Sequence, residues 1–79
     1  MKLFLISQDE NTNYETFDSA IVAAPDEESA KQIMPSQYEE WGEVFSSWCS
    51  SPDKVNVKYI GEAAEGTLSG LILASFNAG

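Results

Sequence analysis

Apolar residues gather in two dense runs, one near each end of the chain, with broken patterns between them. Lys2 to Ser7 carries Leu3, Phe4, Leu5 and Ile6 in succession. So short a run, flanked by polar residues and without alternation, predicts a strand buried on both faces. Asp9, Glu10, Asn11, Thr12 and Asn13 follow, and their polar side chains favour turns, so a connecting loop is expected there. Thr16 to Ala24 reads as a second strand, carried by Phe17, Ala20, Ile21, Val22 and Ala23. Leu68 to Phe76 forms the last, largely apolar strand, with Ser69 and Gly70 near its start. Runs buried on both faces prefer the centre of a sheet, so the first and last strands are expected to lie side by side.

Between these runs the period changes. Pro25, Asp26, Glu27 and Glu28 read as a helix start, because proline fits the first turn and carboxylates favour the N-terminal end of the helix dipole. The helix is expected to reach Met34, with Ala30, Ile33 and Met34 as its apolar stripe, Glu27 and Lys31 paired at i, i+4, and Pro35 ending it. From Ser36 to Ser51, Tyr38, Trp41, Val44, Phe45 and Trp48 recur mostly at intervals of three or four among glutamates and serines. That spacing suits a second short helix or a structured loop, and it assigns both tryptophans to the core in preference to a binding surface. Ser51, Pro52 and Asp53 make a turn into Val55 to Tyr59, where alternation puts Val55, Val57 and Tyr59 on one face of a strand. Gly61 to Gly66 is a small acidic loop.

The order is strand, strand, helix, irregular segment, strand, strand. It predicts an α+β fold: a mostly antiparallel sheet of four strands with one or two short helices packed on one face. With 79 residues, the chain is expected to form one domain, 1–79. A unit of this size buries only about 60% of the surface its unfolded chain exposes. Its 43% hydrophobic and 11% aromatic content still suits a packed core. The single cysteine, Cys49, excludes an intramolecular disulfide, which leaves stability to packing and favours a reducing, intracellular setting. The apolar run Leu3 to Ile6 is too short for a signal-peptide core, and no segment has the roughly 20 apolar residues that span a bilayer.

Charge changes the picture most. Thirteen acidic residues face Lys2, Lys31, Lys54 and Lys58, with no arginine or histidine, for a formal charge of −9. Direct binding to nucleic acid or anionic membrane rests on Lys and Arg meeting phosphate and is disfavoured; a basic protein surface is the natural complement. Taken alone, acidity is more simply a device for solubility.

Candidate chemistry is thin. Without histidine the commonest general base and metal ligand is missing, and Cys49 has nothing to activate it, so no catalytic residue is assigned and Cys49 reads as a small buried hydrophobe. Asp9 to Asn13 matches the D-x-N-x-N opening of a calcium loop, but Tyr14 stands where glycine is needed and Ala20 where a bidentate glutamate should be. An Asn-rich turn explains the segment better, and no metal or cofactor is expected. Gly61, Gly66 and Gly70 lack the spacing of a phosphate loop, and Glu62 and Glu65 would repel phosphate. What remains is the distribution of acid. Asp26, Glu27, Glu28, Glu39, Glu40, Glu43, Asp53, Glu62 and Glu65 are the candidate partner-binding residues, chosen on charge and expected exposure. Neighbouring side chains fall about 5 to 7 Å apart and DNA carries a charge per about 3.4 Å along each strand, a spacing that permits nucleic-acid mimicry.

The tail "SPDKVNVKYIGEAAEGTLSGLILASFNAG", with "SSWCS" ahead of it and "MKLFLISQDENTNYETFDSAIVAAPDEESAK" at the front, resembles small acidic proteins of bacteriophages and prophages along the whole chain. Among them it resembles the type I anti-CRISPR inhibitors, the type I-C group in particular. The resemblance implies a non-enzymatic inhibitor in the host bacterial cytoplasm. Such an inhibitor binds the CRISPR surveillance complex (Cascade) and keeps target DNA from its Lys- and Arg-lined groove. It carries no motif that assigns contact residues. The alternative is a phage accessory protein acting on another host or virion protein, its acidity serving only solubility.

Overall fold

The computed structural model describes residues 1–37, 39–42 and 46–77. It is an antiparallel sheet of four strands, β1 (Lys2–Ser7), β2 (Thr16–Ala24), β3 (Asn56–Glu62) and β4 (Gly70–Asn77), with one short helix, α1 (Glu27–Lys31), packed against β1, β2 and β3. The α+β class read from the sequence is the class observed. No helix among the described residues is long and apolar enough to cross a membrane.

The strands lie in the order β3-β1-β2-β4. β1 and β2 form a hairpin in which Phe4 faces Val22 and Ile6 faces Ala20. Its connection is fixed by buried Gln8, whose Nε2 donates to the carbonyls of Asn11 (2.7 Å) and Phe17 (2.9 Å) while its Oε1 accepts from the Asn11 amide (2.8 Å). These bonds satisfy a loop that would otherwise leave buried polar groups unpaired. After β2 the chain crosses the core face through α1 and residues 32–55 and delivers β3 to the far edge of β1.

This crossover corrects the expectation that the first and last strands are neighbours. A strand has two edges, and those of β1 are taken by β2 and β3, so β4 pairs with the free edge of β2. The link from β3 to β4 must then pass across one end of the sheet. Two hydrogen bonds trace its route, Ala63 N to Met1 O at 3.0 Å and Ser69 Oγ to Ala23 O at 3.1 Å. β1 is central as expected, but it is not buried on both faces. Phe4 and Ile6 are in the core, whereas Leu3 and Leu5 on the other face are half-buried, because α1, Met34, Trp48, Cys49 and Val55 pack on the face of Phe4 and Ile6. β4 departs further from its apolar reading: Leu71 and Ala74 pack against the core, while Ile72, Leu73 and Phe76 are exposed.

Local differences have local causes. α1 stops at Lys31, earlier than expected, although Met34 is still buried and Ile33 packs against the core. Asp26 caps its start, accepting from Ser29 N at 2.8 Å. Lys31 approaches Glu28 at 3.9 Å, at i, i+3, so the expected Glu27 pairing is replaced. No second α-helix forms among the described residues. Residues 39–42 and 46–51 are a structured loop leading to a 3-10 turn, Pro52–Lys54, while Tyr38, Glu43, Val44 and Phe45 of the expected stripe lie outside the described residues. β3 continues through Gly61 and Glu62, which the sequence assigns to a loop; the ladder shifts register between Leu3 and Phe4, and Gly61 takes φ 151°, a conformation that glycine adopts without strain.

The core joins Phe4 and Ile6 of β1, Ala20, Val22 and Ala24 of β2, Ala30, Met34, Trp48, Cys49 and Val55. Trp48 is its largest member at 1% exposure, and Trp41 is half-buried against it, in agreement with the core reading of both tryptophans. Trp48 Nε1 has no hydrogen-bond acceptor among the described residues, so burial of the ring outweighs a lost hydrogen bond at about 1–3 kcal/mol. At typical stability per residue the domain holds about 4–12 kcal/mol. Trp48→Ala is therefore expected to remove about 3–5 kcal/mol, a large share of that stability, and to lower the urea midpoint accordingly. Leu68→Ala, at a residue 85% exposed, should shift stability by under about 0.5 kcal/mol. Equal midpoints for the two variants would contradict this core.

Candidate functional site

Because the strands run antiparallel, the connections emerge at two ends of the sheet, and the carboxylates are sorted with them. At the end where β1 starts, Lys2 lies opposite both Ala24 and Glu62, so the exit of β2 and the last residue of β3 come together. Asp26, Glu27 and Glu28 follow β2, and Glu65 sits in the link after β3; with Glu62 all five are exposed. Asp26, Glu27, Lys2, Phe4 and Tyr59 line a shallow concavity of about 420 Å³. The Ser29 hydrogen bonds hold the Asp26 carboxyl below its usual value, and the nearby Lys2 adds to that shift. Tyr59 donates its hydroxyl to Glu62, which pushes the phenol pKa up.

The other end carries Asp9, Glu10 and Glu15 in the hairpin connection, Asp18 early in β2, and Asp53 in the 3-10 turn before β3, all exposed. Glu39 reaches the same end through its hydrogen bonds. One carboxylate oxygen accepts from the Ser47 amide at 2.7 Å and from Ser46 Oγ at 3.1 Å, and the other accepts from Ser47 Oγ. The Ser47 carbonyl accepts in turn from Phe17 N at 2.8 Å, which ties the crossover loop to β2. Burial alone would raise the Glu39 carboxyl, but the bonds from Ser47 and Ser46 outweigh it and hold the pKa below the usual value.

The sequence marks Glu39 as an exposed partner-binding charge, and the structure makes it an anchor instead, half-buried with its oxygens committed to the loop. Glu40 beside it is exposed, and Glu43 lies outside the described residues. The candidate carboxylates thus do not form one face. Asp26, Glu27, Glu28, Glu62 and Glu65 share one end, and Asp53 stands at the other. Glu10 has a structural role with no signal in the sequence, since its Oε1 accepts from Ser50 N, forty residues away, at 2.7 Å. The Ser50 bonds lower its pKa. Asn11 works with it, donating from Nδ2 to the carbonyls of Ser46 (2.7 Å) and Trp48 (3.2 Å). The Asn-rich turn is thereby a clamp on the crossover loop. An open cleft of about 460 Å³ lies here, lined in part by Glu10, Asn13, Tyr14, Glu15 and Trp48.

Reactive groups are scarce. Cys49 is fully buried, and burial pushes its thiol pKa up, the direction opposite to that of a nucleophile. Among the described residues no group of three or more His, Cys, Asp or Glu is placed to hold a metal ion. No protein-family model matches the chain, and no match was found among curated proteins or solved structures.

The buried thiol and the anchored carboxylate each make a measurable difference. A carboxylate whose folded pKa is depressed stabilises the fold above its unfolded value, here 4.5, and that contribution is lost as pH falls through the folded value. Glu39→Gln is therefore expected to melt about 4–8 °C below the parent at pH 7, with the gap closing towards pH 3. A gap that stays constant with pH would remove Glu39 from its anchoring role. Cys49 should react with a disulfide reagent only as fast as the domain unfolds; stoichiometric labelling under native conditions would contradict its burial.

Proposed function

We propose that this protein is a phage-encoded inhibitor that works by occupation, setting its acidic end on a basic surface of a CRISPR surveillance complex so that target DNA cannot enter. The observation that carries this reading is the gathering of Asp26, Glu27, Glu28, Glu62 and Glu65 at one end of the sheet, exposed and opposed there by Lys2. An RNA-guided complex holds nucleic acid in a positively charged channel. A domain of charge −9 is steered towards such a channel, and carboxylates presented together take the place of consecutive phosphates. The site of action is then the host bacterial cytoplasm, and the partner a Cascade subunit bearing Lys and Arg.

A gel-shift experiment with a purified type I surveillance complex, the I-C form first, tests this directly. Protein added before matched duplex DNA should prevent the shift, and the effect should fade as salt rises. Combining Glu27→Lys, Glu28→Lys and Glu65→Lys should weaken inhibition by at least about tenfold while the domain keeps the parent's sheet signature in circular dichroism. Unimpaired DNA binding in the presence of excess protein would reject the inhibitor reading and leave the acidity to solubility.

A further inference from the structure

β4 is an edge strand blunted by a bulge at Ile72, where its register with β2 shifts, and by no charge or proline. It pairs with β2 on one side only, which leaves the outward N–H and C=O groups of an eight-residue strand open to another chain. Edge strands are normally blunted by lysine, proline or an inward-pointing charge. β4 has none: from Gly66 to Gly79 no side chain is charged. β3, the opposite edge, carries Lys58 and Glu62, and α1 packs against it. The exposed apolar side chains Ile72 (51%), Leu73 (64%) and Phe76 (48%) lie on β4 itself, and Leu68 stands just before it.

Charge selects the occupant. Two copies at −9 each repel, so they can meet only where neither brings carboxylates to the contact. Among the described residues the acidic groups sit towards the two ends of the sheet, Asp18 beside the last residues of β4, and the middle of β4 is the stretch between them. A basic partner is drawn to those ends and gains nothing from an uncharged strand. Antiparallel pairing about a twofold axis sets the same strand against itself, which an uncharged, apolar strand tolerates and a charged one does not.

We propose that two copies of this protein pair antiparallel through β4, joining their sheets into one of eight strands. The proposal does not depend on the inhibitor reading. The contact is a single strand pair of roughly 25 Å, small beside a standard interface, so the dimer is weak and forms at tens of micromolar or above. The charged β3 edges remain outermost, and assembly stops at two.

Sedimentation equilibrium from low to several hundred micromolar tests the proposal, with hydrogen exchange at the two extremes. The apparent mass should rise from 8.7 kDa towards twice that value, and sooner at high salt, since screening relieves the repulsion between copies. Exchange should slow at alternate β4 amides, which separates edge pairing from packing of sheet faces. Leu73→Lys and Leu73→Glu move the net charge in opposite directions, and both should stay monomeric with an unchanged circular dichroism spectrum. Lys58→Gln on the other edge should dimerise like the parent. A monomer at the highest concentration and salt overturns the proposal; so do assemblies larger than two, a dimer unaffected by both Leu73 variants, or a dimer whose β4 amides exchange as in the monomer.

Discussion

The arrangement depends on β1 using both of its hydrogen-bonding edges. It pairs with β2 through the hairpin and with β3 through the crossover, and it contributes Phe4 and Ile6 to the core. Once those edges are taken, the last strand can join only at the free side of β2 or the free side of β3. It takes the side of β2, and the link that carries it there passes beneath the starts of β1 and β4, held by Met1 and Ala23. The exposed apolar edge follows from that choice, while the meeting of Asp26, Glu27 and Glu28 with Glu62 follows from the two pairings of β1.

The crossover loop shows how a small domain orders a long segment with little regular structure. The described residues of 32–55 contribute Met34, Trp48, Cys49 and Val55 to the core, yet among them the regular elements amount to a 3-10 turn. What holds the loop is polar. Glu39 gathers Ser46 and Ser47, Glu10 takes the Ser50 amide, and Asn11 takes the carbonyls on either side of Ser47. The charge-assisted hydrogen bonds of Glu39 and Glu10 are stronger than neutral ones, and they act together with the burial of Met34, Trp48, Cys49 and Val55. Among the described carboxylates, Glu39 and Glu10 hold the loop, whereas Glu27, Glu28 and Glu65 face solvent.

Much of the fold was legible in the residues. The bounds of β1 and β2 agree with the apolar run and the β-favouring stretch, the start of α1 with Pro25 and Asp26, and the burial of Cys49 and Trp48 with their chemistry. The position of β4 was not legible, because an apolar strand reads alike whether it lies at a sheet centre or on an edge, and pairing is decided by connections elsewhere in the chain. The candidate surface was legible as a quantity of charge and not as a place. Glu39 and Glu27 look alike in sequence, and only the approach of Ser47 from eight residues away makes one an anchor. The division of acid between two ends follows from strand direction, which composition does not carry.

Among the described residues, carboxylates cluster towards the two ends of the sheet and leave the middle of β4 uncharged. Amide relaxation by a cationic nitroxide, set against a neutral nitroxide of the same size, measures this residue by residue. At concentrations that keep the protein monomeric, the cation should broaden residues 9–18, 26–28 and 62–65 far more than the neutral probe does, while residues 71–74 in the middle of β4 respond equally to both. A cation-specific effect along the middle of β4 as large as that at the ends would contradict the account.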